Sequence, residues 1–248
     1  MCLILVAWQA HSRYPLVVAA NRDEFFARPT AFAAPWADAP QVVAGRDLEA
    51  GGTWLGMTES GRFAAVTNVR EPGRPPGERS RGKLTADFLR GDLPAADYAA
   101  AIDGAAYSGF NLLLGDGREL WYACNRIAAP RRLEPGIYGV SNHLLDTPWP
   151  KLATARRRFA DALTGLPDEA PFFSLLADDE IVADERLPAT GVSLEWERRL
   201  SAIFVRSPDY GTRASTLLCL DACGRGQLHE RSFGADGSTL NDCLLATG

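Results

Sequence analysis

The sequence predicts a mixed α+β fold rather than an alternating β-α-β array. Segments with strand patterns come first in the 248-residue chain, helical patterns follow, and strand patterns return near the end. An apolar content of 46% is ample for a sizeable core. The order of the elements favours two packed sheets between helical layers, and the length fits one large domain or two small ones.

Two apolar segments at the start of the chain predict an antiparallel hairpin. Residues 2–8 form an apolar run that predicts a buried strand, and residues 15–20 predict the returning strand. The return brings four polar side chains to the end of the sheet at which Cys2 lies: Asn21, Arg22, Asp23 and Glu24.

Cys2 is a candidate nucleophile because it directly follows the initiator Met1. Cysteine is small enough for the preceding methionine to be removed, which leaves a thiol and a free α-amine on one residue. The unperturbed pKa of an α-amine is about 8 and that of a thiol about 8.5, so the amine can accept the thiol proton. Arg22 would lower the pKa of a nearby thiol, and Asp23 would hold that arginine. The alternative interpretation is a small buried cysteine beside a charged turn.

A second hairpin is predicted before the middle of the chain. Residues 53–58 and 62–68 have strand patterns and flank a Glu-Ser-Gly turn. Trp54 supplies a large apolar surface at the start of this hairpin. Ahead of it, residues 26–40 are rich in alanine and proline and predict a covering loop, while residues 41–45 predict a short strand.

Residues 69–83 predict a mobile loop because they contain three prolines and three glycines. The loop also carries five basic side chains: Arg70, Arg74, Arg79, Arg81 and Lys83. One interpretation is a lid that attracts an anionic substrate. The favoured interpretation is a solvated loop whose charge is balanced by Glu71 and Glu78.

Four helices are predicted from apolar spacing and capping residues. They cover residues 84–89, 94–102, 147–163 and 170–177. Thr147 is the predicted N-cap of the third helix, and Pro148 lies in its first turn. Residues 178–196 are polar and irregular.

The remaining strands are predicted from short apolar runs between turn residues. Gly-Asp-Gly at 115–117 predicts the turn of a hairpin between residues 110–114 and 120–124. The other predicted strands cover residues 137–140, 201–205, 214–221 and 226–231. The tail beyond about residue 234 contains glycine and serine and is predicted to be poorly ordered.

Five stretches of the sequence resemble one known family. Residues 20–29 read Ala-Asn-Arg-Asp-Glu-Phe-Phe-Ala-Arg-Pro, which resembles the signature of the NRDE family, also called the transport and Golgi organisation protein 2 family. The other four follow in order: Gly-Gly-Thr-Trp-Leu-Gly at 51–56, Thr-Asn at 67–68, Tyr-Gly-Val-Ser-Asn at 138–142 with Thr-Pro-Trp at 147–149, and Tyr-Gly-Thr-Arg at 210–213. The resemblance extends from residue 1 to about residue 233.

The resemblance implies both a fold and a set of site residues. The NRDE family resembles the N-terminal nucleophile hydrolases, so we expect a four-layer αββα sandwich in a single domain over residues 1–248. The cysteine-type amidases of that class use a Cys, an Arg, an Asp, two Asn and a late Arg. The similar residues in this chain are Cys2, Arg22, Asp23, Asn68, Asn142 and Arg213. Arg22 and Asp23 are adjacent here, whereas the amidases place them a few residues apart.

Each candidate residue has a chemical role that its position favours. Asn68 and Asn142 each end a predicted strand, and their side-chain amides would donate hydrogen bonds to an oxyanion. Arg22 and Arg213 would hold the thiolate or a charge on the substrate. Four further residues are predicted to contact a ligand: Asn21, Glu24, Trp54 and His143.

Two functions from different classes are compatible with these residues. The first is a cysteine-dependent hydrolase that cleaves a linear amide or a thioester through Cys2. The second is a non-catalytic carrier, and here the resemblance implies haem or acyl-coenzyme A as the ligand. Trp54 would supply an apolar wall for such a ligand, and Arg22 and Arg213 would bind its carboxylates or phosphates. In both cases the partner is a small molecule.

Composition argues against several other classes. A net charge of −5 is not that of a nucleic-acid-binding protein, and no apolar run approaches the roughly 20 residues that cross a bilayer. The first eight residues lack the basic start and cleavage site of a secretory signal. Five cysteines, an odd number, indicate a reducing cytoplasm. Neither a metal site nor a cofactor is predicted, because His11, His143 and His229 are scattered.

Overall fold

Two antiparallel sheets and five α-helices make up the computed structural model, which describes residues 2–247. The strands are β1 (Cys2–Trp8), β2 (Leu16–Phe25), β3 (Thr30–Trp36), β4 (Ala39–Asp47), β5 (Leu55–Thr58), β6 (Phe63–Asn68), β7 (Phe110–Gly115), β8 (Leu120–Cys124), β9 (Arg131–Leu133), β10 (Gly136–Val140), β11 (Tyr210–Leu220), β12 (Gly226–Phe233) and β13 (Thr239–Ala246). The helices are α1 (Gly82–Arg90), α2 (Ala95–Ala100), α3 (Pro150–Leu163), α4 (Ala170–Leu176) and α5 (Leu194–Arg199).

The strand order places the first and last parts of the chain in one sheet. The six-stranded sheet has the order β10-β1-β2-β11-β12-β13, and the seven-stranded sheet has the order β3-β4-β5-β6-β7-β8-β9. All neighbouring strands within these sheets are antiparallel. The predicted hairpins β1–β2, β5–β6 and β7–β8 are therefore confirmed.

Apolar residues alternate along β1 because both faces of its sheet are covered. Ile4 and Val6 pack between the two sheets, whereas Leu3 and Leu5 pack against the helices α3 and α4. The helices α1 and α2 cover the outer face of the other sheet in the same way. The layers are thus helix, sheet, sheet and helix, which confirms the predicted αββα sandwich.

The same alternation decides where the polar end of β2 points. Val18 and Ala20 face the core between the sheets, so the next residue on that face is Arg22. Asn21 and Asp23 lie on the opposite face of the strand. Cys2 pairs directly with Arg22 across β1 and β2.

Edge-to-face aromatic packing anchors the helical layer over the six-stranded sheet. Phe159 of α3 and Phe172 of α4 are fully buried, and their ring centroids lie 5.7 Å apart. Burial of each ring stabilises the fold by about 1.5–3 kcal/mol. The longest helix, α3, has 14 residues, and no helix within residues 2–247 has the length and apolar character needed to cross a membrane.

Residues 26–40 contain the strand β3, so the predicted covering loop is wrong there. Ala34 pairs with Ala44 of β4, and β3 forms the edge of the seven-stranded sheet. Pro35 lies within this strand, and an edge strand tolerates a residue without an N–H group. An edge strand buries less apolar surface than a central one. The alanines and prolines of this segment therefore lack the apolar pattern from which a strand is predicted.

The predicted strand at residues 201–205 is also wrong. These residues follow α5 as an irregular segment and are buried. Their backbone hydrogen bonds are made outside any sheet, since Phe204 N donates to Asp178 O (2.7 Å) and Ile203 O accepts from Asn21 Nδ2 (2.9 Å). The segment is apolar because it is buried, and a short apolar run is also typical of a buried strand.

The tail beyond Phe233 forms the strand β13, whereas the sequence predicted poor order. β13 pairs with β12 from Thr239 opposite Phe233 to Ala246 opposite Gln227. Alternate residues of β13, Cys243 and Leu245, pack against the core between the sheets. This pairing supplies the order that the composition of the tail did not indicate.

The helix α3 begins later than the sequence predicted. Pro150 is its first residue and Trp149 is its N-cap residue. Thr147, the predicted N-cap, instead donates its hydroxyl to Leu144 O (2.8 Å) in the preceding turn. The Thr-Pro-Trp-Pro stretch contains two prolines, and either one is acceptable in a first helical turn.

A close contact between two glycines holds the segment before β5 against the start of α1. A Cβ atom on Gly52 would lie 2.4 Å from the carbonyl carbon of Gly82. We therefore expect Gly52→Ala to force the backbone apart and to lower the free energy of unfolding by about 2 kcal/mol. Urea titration measures this change.

The control variant is Gly165→Ala, because a Cβ atom there has its nearest neighbour at an ordinary contact distance of 3.5 Å. We expect the stability of this variant to stay within about 0.5 kcal/mol of wild type. Equal stability of the two variants would contradict the close contact.

Candidate active site

The ends of five strands surround a cleft with a volume of about 630 Å³. The strands β1, β2, β4, β6 and β11 contribute to its wall, together with the segments on either side of the contact between Gly52 and Gly82. Six of the ten predicted site residues line this cleft: Cys2, Arg22, Asp23, Glu24, Trp54 and Asn68. Four predicted site residues are not part of its lining: Asn21, Asn142, His143 and Arg213.

The thiol of Cys2 lies at the wall of the cleft, at the first residue of β1. Burial raises the pKa of the Cys2 thiol, while a hydrogen bond from the backbone of Asp23 and the positive charge of Arg22 act in the opposite direction. The hydroxyl of Ser141, just after β10, donates to Cys2 O (3.1 Å). The backbone of Cys2 is therefore tied to the strands on both of its sides.

Arg22 extends from β2 into the space between the sheets. Its guanidinium carbon lies 4.3 Å from the ring centroid of Trp54, and its Nη1 donates to Thr30 Oγ1 (3.3 Å). The ring of Trp54 is itself confined, because a Cβ atom on Gly45 would lie only 2.2 Å from it. Arg22 and Trp54 thus form a rigid wall of the cleft beside Cys2.

Asp23 is buried and held by residues from the start of β11. Thr212 Oγ1 donates to Asp23 Oδ1 (2.7 Å), and Tyr210 Oη donates to Asp23 O (3.1 Å). Burial raises the pKa of the Asp23 carboxyl group. The Tyr-Gly-Thr-Arg stretch therefore contributes to the site through Tyr210 and Thr212.

Asn142 anchors the side chain of Asn68 from behind the cleft. Asn142 is fully buried, and its Nδ2 donates to Asn68 Oδ1 (2.9 Å) and to Thr67 Oγ1 (3.1 Å). Because Asn68 Oδ1 accepts from Asn142, the Nδ2 group of Asn68 is left to donate into the cleft. The two asparagines thus have different positions, although the sequence predicted similar roles for them.

Arg213 lies outside the cleft, contrary to the prediction that it meets the substrate there. Its Nη1 donates to Phe25 O (3.1 Å) and to Arg28 O (2.5 Å), which ties β11 to the turn after β2. Arg213 is located where the register between β11 and β2 shifts. Its side chain lines a smaller neighbouring pocket, which it shares with Arg22 and Trp54.

Asn21 and His143 do not line this cleft either, so their positions do not support the predicted contact with a ligand in it. Asn21 is buried, and its Nδ2 donates to Leu176 O (2.8 Å) and Ile203 O (2.9 Å) on the helical side of the sheet. His143 is exposed, with its Nδ1 2.9 Å from Thr147 Oγ1. The alternation of β2 explains Asn21, because successive residues point to opposite faces.

The comparison with known families agrees with this architecture. A family model described as Transport and Golgi organisation 2 matches residues 1–235. The chain belongs to this family. Among its relatives, the Transport and Golgi organization protein 2 homolog of Bos taurus is 38% identical over 259 residues, which cover 94% of this chain and 93% of that protein.

Solved structures similar to this Transport and Golgi organisation 2 family member have the N-terminal nucleophile hydrolase fold. A C2A mutant of conjugated bile acid hydrolase from Clostridium perfringens has a TM-score of 0.54 and 10% identity, over 99% of this chain and 92% of its own. The N-acylethanolamine-hydrolyzing acid amidase orthologue of Caenorhabditis elegans has a TM-score of 0.55 and 13% identity, over 90% of this chain and 93% of its own. At these identities the similarity shows the fold alone.

Lys151 is a buried residue near the site that the sequence did not reveal. It lies in the first turn of α3, and its Nζ donates to Leu200 O (2.8 Å). Burial lowers the pKa of Lys151 to about 8, while the negative charge of Asp23 acts in the opposite direction. Nothing in the sequence distinguishes this lysine from a solvated one at the start of a helix.

The buried Lys151 predicts a stability that depends on pH. Its pKa is about 8 in the folded protein against an ordinary value of 10.5, so the unfolded chain binds more protons between these two values. We expect the free energy of unfolding of wild type, relative to Lys151→Met, to rise by roughly 3 kcal/mol as the pH increases through this window. Urea titrations below, within and above the window measure the difference.

The matched control is Lys83→Met, since Lys83 is exposed. We expect its difference from wild type to be independent of pH. A difference between wild type and Lys151→Met that does not change with pH would contradict the burial of a charged lysine.

Proposed function

We propose that this protein is a cysteine-dependent hydrolase of a linear amide or thioester, with Cys2 as its nucleophile after removal of Met1. The observation that carries the proposal is that the Cys2 thiol and the side-chain amide of Asn68 line one cleft. One structural neighbour is named as a hydrolase and the other as an amidase, which also supports hydrolysis.

The reaction begins with proton transfer from the thiol of Cys2 to its own α-amine. The thiolate attacks the carbonyl carbon of the substrate, and the Nδ2 group of Asn68 donates a hydrogen bond to the resulting oxyanion. The ammonium group then returns the proton to the leaving amine or thiol as the scissile bond breaks. Water hydrolyses the remaining acyl thioester on Cys2 and restores the free thiol.

The neighbouring residues hold these groups in place. Asp23 fixes the α-amine through its carboxylate, which is in turn held by Thr212. Asn142 positions Asn68 without touching the substrate. Arg22, stacked on Trp54, provides a positive charge beside the thiol. Glu24 contributes a further carboxylate to the wall of the cleft.

We assign the protein to a reducing compartment, the cytoplasm. Its five cysteines are free thiols, and two of them, Cys124 and Cys219, are buried in the core. A reducing environment maintains such thiols without a disulfide.

The raised pKa of the Cys2 thiol favours a second candidate, a non-catalytic carrier of haem or acyl-coenzyme A. A thiol that stays protonated is a poor nucleophile but a suitable wall for a bound ligand. Titration of wild type and Arg22→Ala with haem and with acyl-coenzyme A tests this candidate. Saturable binding that weakens in the variant supports a carrier, and the absence of saturable binding to either ligand eliminates it.

The hydrolase predicts that activity depends on a mature amino terminus at Cys2. We expect mass spectrometry to show loss of Met1, and hydrolysis of acyl-aminocoumarin amides by wild type. Cys2→Ser is expected to lower kcat/KM by about 10³-fold or more, because a hydroxyl is a far weaker nucleophile than a thiol. Fluorescence of the released amine measures the rate.

Cys223→Ser serves as the control, because Cys223 is exposed on a turn. We expect this variant to match wild type in rate. Quantitative retention of Met1 in an active enzyme, or an undiminished rate in Cys2→Ser, would overturn the mechanism.

The hydrogen bond between the two asparagines predicts a non-additive pair of effects on kcat. Asn68→Ala removes an oxyanion donor and is expected to lower kcat by about 10²–10³-fold. Asn142→Ala acts on the oxyanion through the orientation of Asn68, so we expect a smaller loss. The double variant should then be no slower than Asn68→Ala alone. Multiplicative losses in a double-mutant cycle would show that Asn142 acts independently of Asn68.

A further inference from the structure

Four arginines line the cleft, and three of them already have charged or aromatic partners: Arg22, Arg28 and Arg79. Arg28 forms ion pairs with Asp47 (2.8 Å) and Glu49 (3.3 Å). Arg79 lies 3.5 Å from Asp87, and Arg22 stacks on Trp54. The positive charge of these side chains is therefore balanced or covered within the protein.

Arg81 is the fourth arginine, and its partners are different. Its Nη1 donates to Gly109 O at 3.3 Å, and no carboxylate group in the described range 2–247 lies within ion-pair distance of it. Burial lowers the pKa of Arg81, while the charges of Cys2 and Glu24 act in the opposite direction. A partly buried guanidinium group without a counter-ion is unfavourable, and a bound anion would relieve this cost.

The segment that carries Arg81 is tethered to the body of the protein. Gly77 N donates to Ser108 Oγ (2.8 Å), and Arg79 N donates to Ala106 O (2.9 Å). Arg81 itself is followed directly by α1, whose first residue Gly82 packs on Gly52. The guanidinium group is thus held in position in advance, so little entropy is lost when it binds a ligand.

The charges on the rest of the wall limit where an anion can bind. Glu24 lines the cleft, and its Oε1 accepts a hydrogen bond from Phe25 N (2.8 Å). Arg28 pairs with both Asp47 and Glu49, so these three side chains together keep one negative charge in excess. An anionic ligand is therefore repelled by these carboxylates and attracted to the guanidinium group of Arg81.

We propose that the cleft selects acyl compounds that carry an anionic group, such as a carboxylate, phosphate or sulfonate, and that Arg81 binds this group. The inference rests on the proposed function, which requires the carbonyl of the same compound to lie at Cys2. A cleft of about 630 Å³ is large enough for both ends of such a small molecule. Arg81 then determines specificity and does not take part in the chemical step.

The test measures binding rather than turnover, so its result is independent of whether Cys2 is catalytic. Three anilides are titrated by calorimetry into the Cys2→Ala protein, which cannot form an acyl thioester. Glutaric acid monoanilide carries a carboxylate on its acyl chain, 4-(pentanoylamino)benzoate carries one on its leaving group, and pentanoic anilide carries none. We expect at least one of the two anions to bind about tenfold more tightly than the neutral anilide.

The preference for the anion is expected to disappear in Cys2→Ala/Arg81→Met and to persist in Cys2→Ala/Arg81→Lys, which retains the charge. Arg118→Met in the same background is the matched control, since Arg118 is exposed on the turn between β7 and β8, and it should retain the full preference. Equal binding of all three anilides, no binding of any of them, or an unchanged preference in Arg81→Met would overturn the proposal. If wild type hydrolyses none of the substrates but the Cys2→Ala protein still prefers the anionic anilide, only the mechanism at Cys2 is overturned.

Discussion

The hydrogen bond from Asn142 to Asn68 joins the two sheets at the end where the cleft opens. Asn142 follows β10 of the six-stranded sheet, and Asn68 ends β6 of the seven-stranded sheet. The apolar side chains packed between the sheets set their spacing but not the orientation of a single group. A buried amide bonded on both sides of this junction fixes the Asn68 side chain, and hence the direction in which its Nδ2 points. The geometry of the proposed oxyanion site depends on this contact.

Two ionisable side chains, Asp23 and Lys151, are buried near the cleft, and their desolvation is unfavourable. The desolvation of each shifts its pKa towards the neutral form. Each of them also favours the charged form of the other, so the pair retains charge together more readily than either would alone. Removal of Lys151 would therefore affect Asp23 through its charge state as well as through packing.

The sequence was most informative where a residue's position along a strand determines its direction. The start of β1 and the end of β2 were predicted to meet, and Cys2 does pair with Arg22. Asn21 was predicted to face the ligand because it belongs to the same motif, yet strand alternation turns it to the helical side. Motif membership thus identified the right stretch but not the right face.

Other parts of the site depend on contacts between distant segments, which a single sequence does not encode locally. Arg213 was predicted to meet the ligand, but the shifted register of β11 directs it to the carbonyls of Phe25 and Arg28. Arg81 was one of five basic residues in a loop predicted to be solvated, and the tethering of that loop to residues 106–109 decides its position. Neither outcome follows from residue type or spacing, because both depend on tertiary hydrogen bonds.

The raised pKa of the Cys2 thiol is compatible with catalysis when the proton acceptor belongs to the same residue. Burial penalises an isolated thiolate because a net charge is created in a medium of low dielectric constant. Transfer of the proton to the α-amine of Cys2 creates a thiolate and an ammonium group a few ångströms apart, and this pair has no net charge. Coulomb attraction at that distance grows as the effective dielectric constant falls, so it offsets part of the desolvation cost. In the proposed mechanism, burial in the cleft therefore disfavours a free thiolate and at the same time favours proton transfer within Cys2.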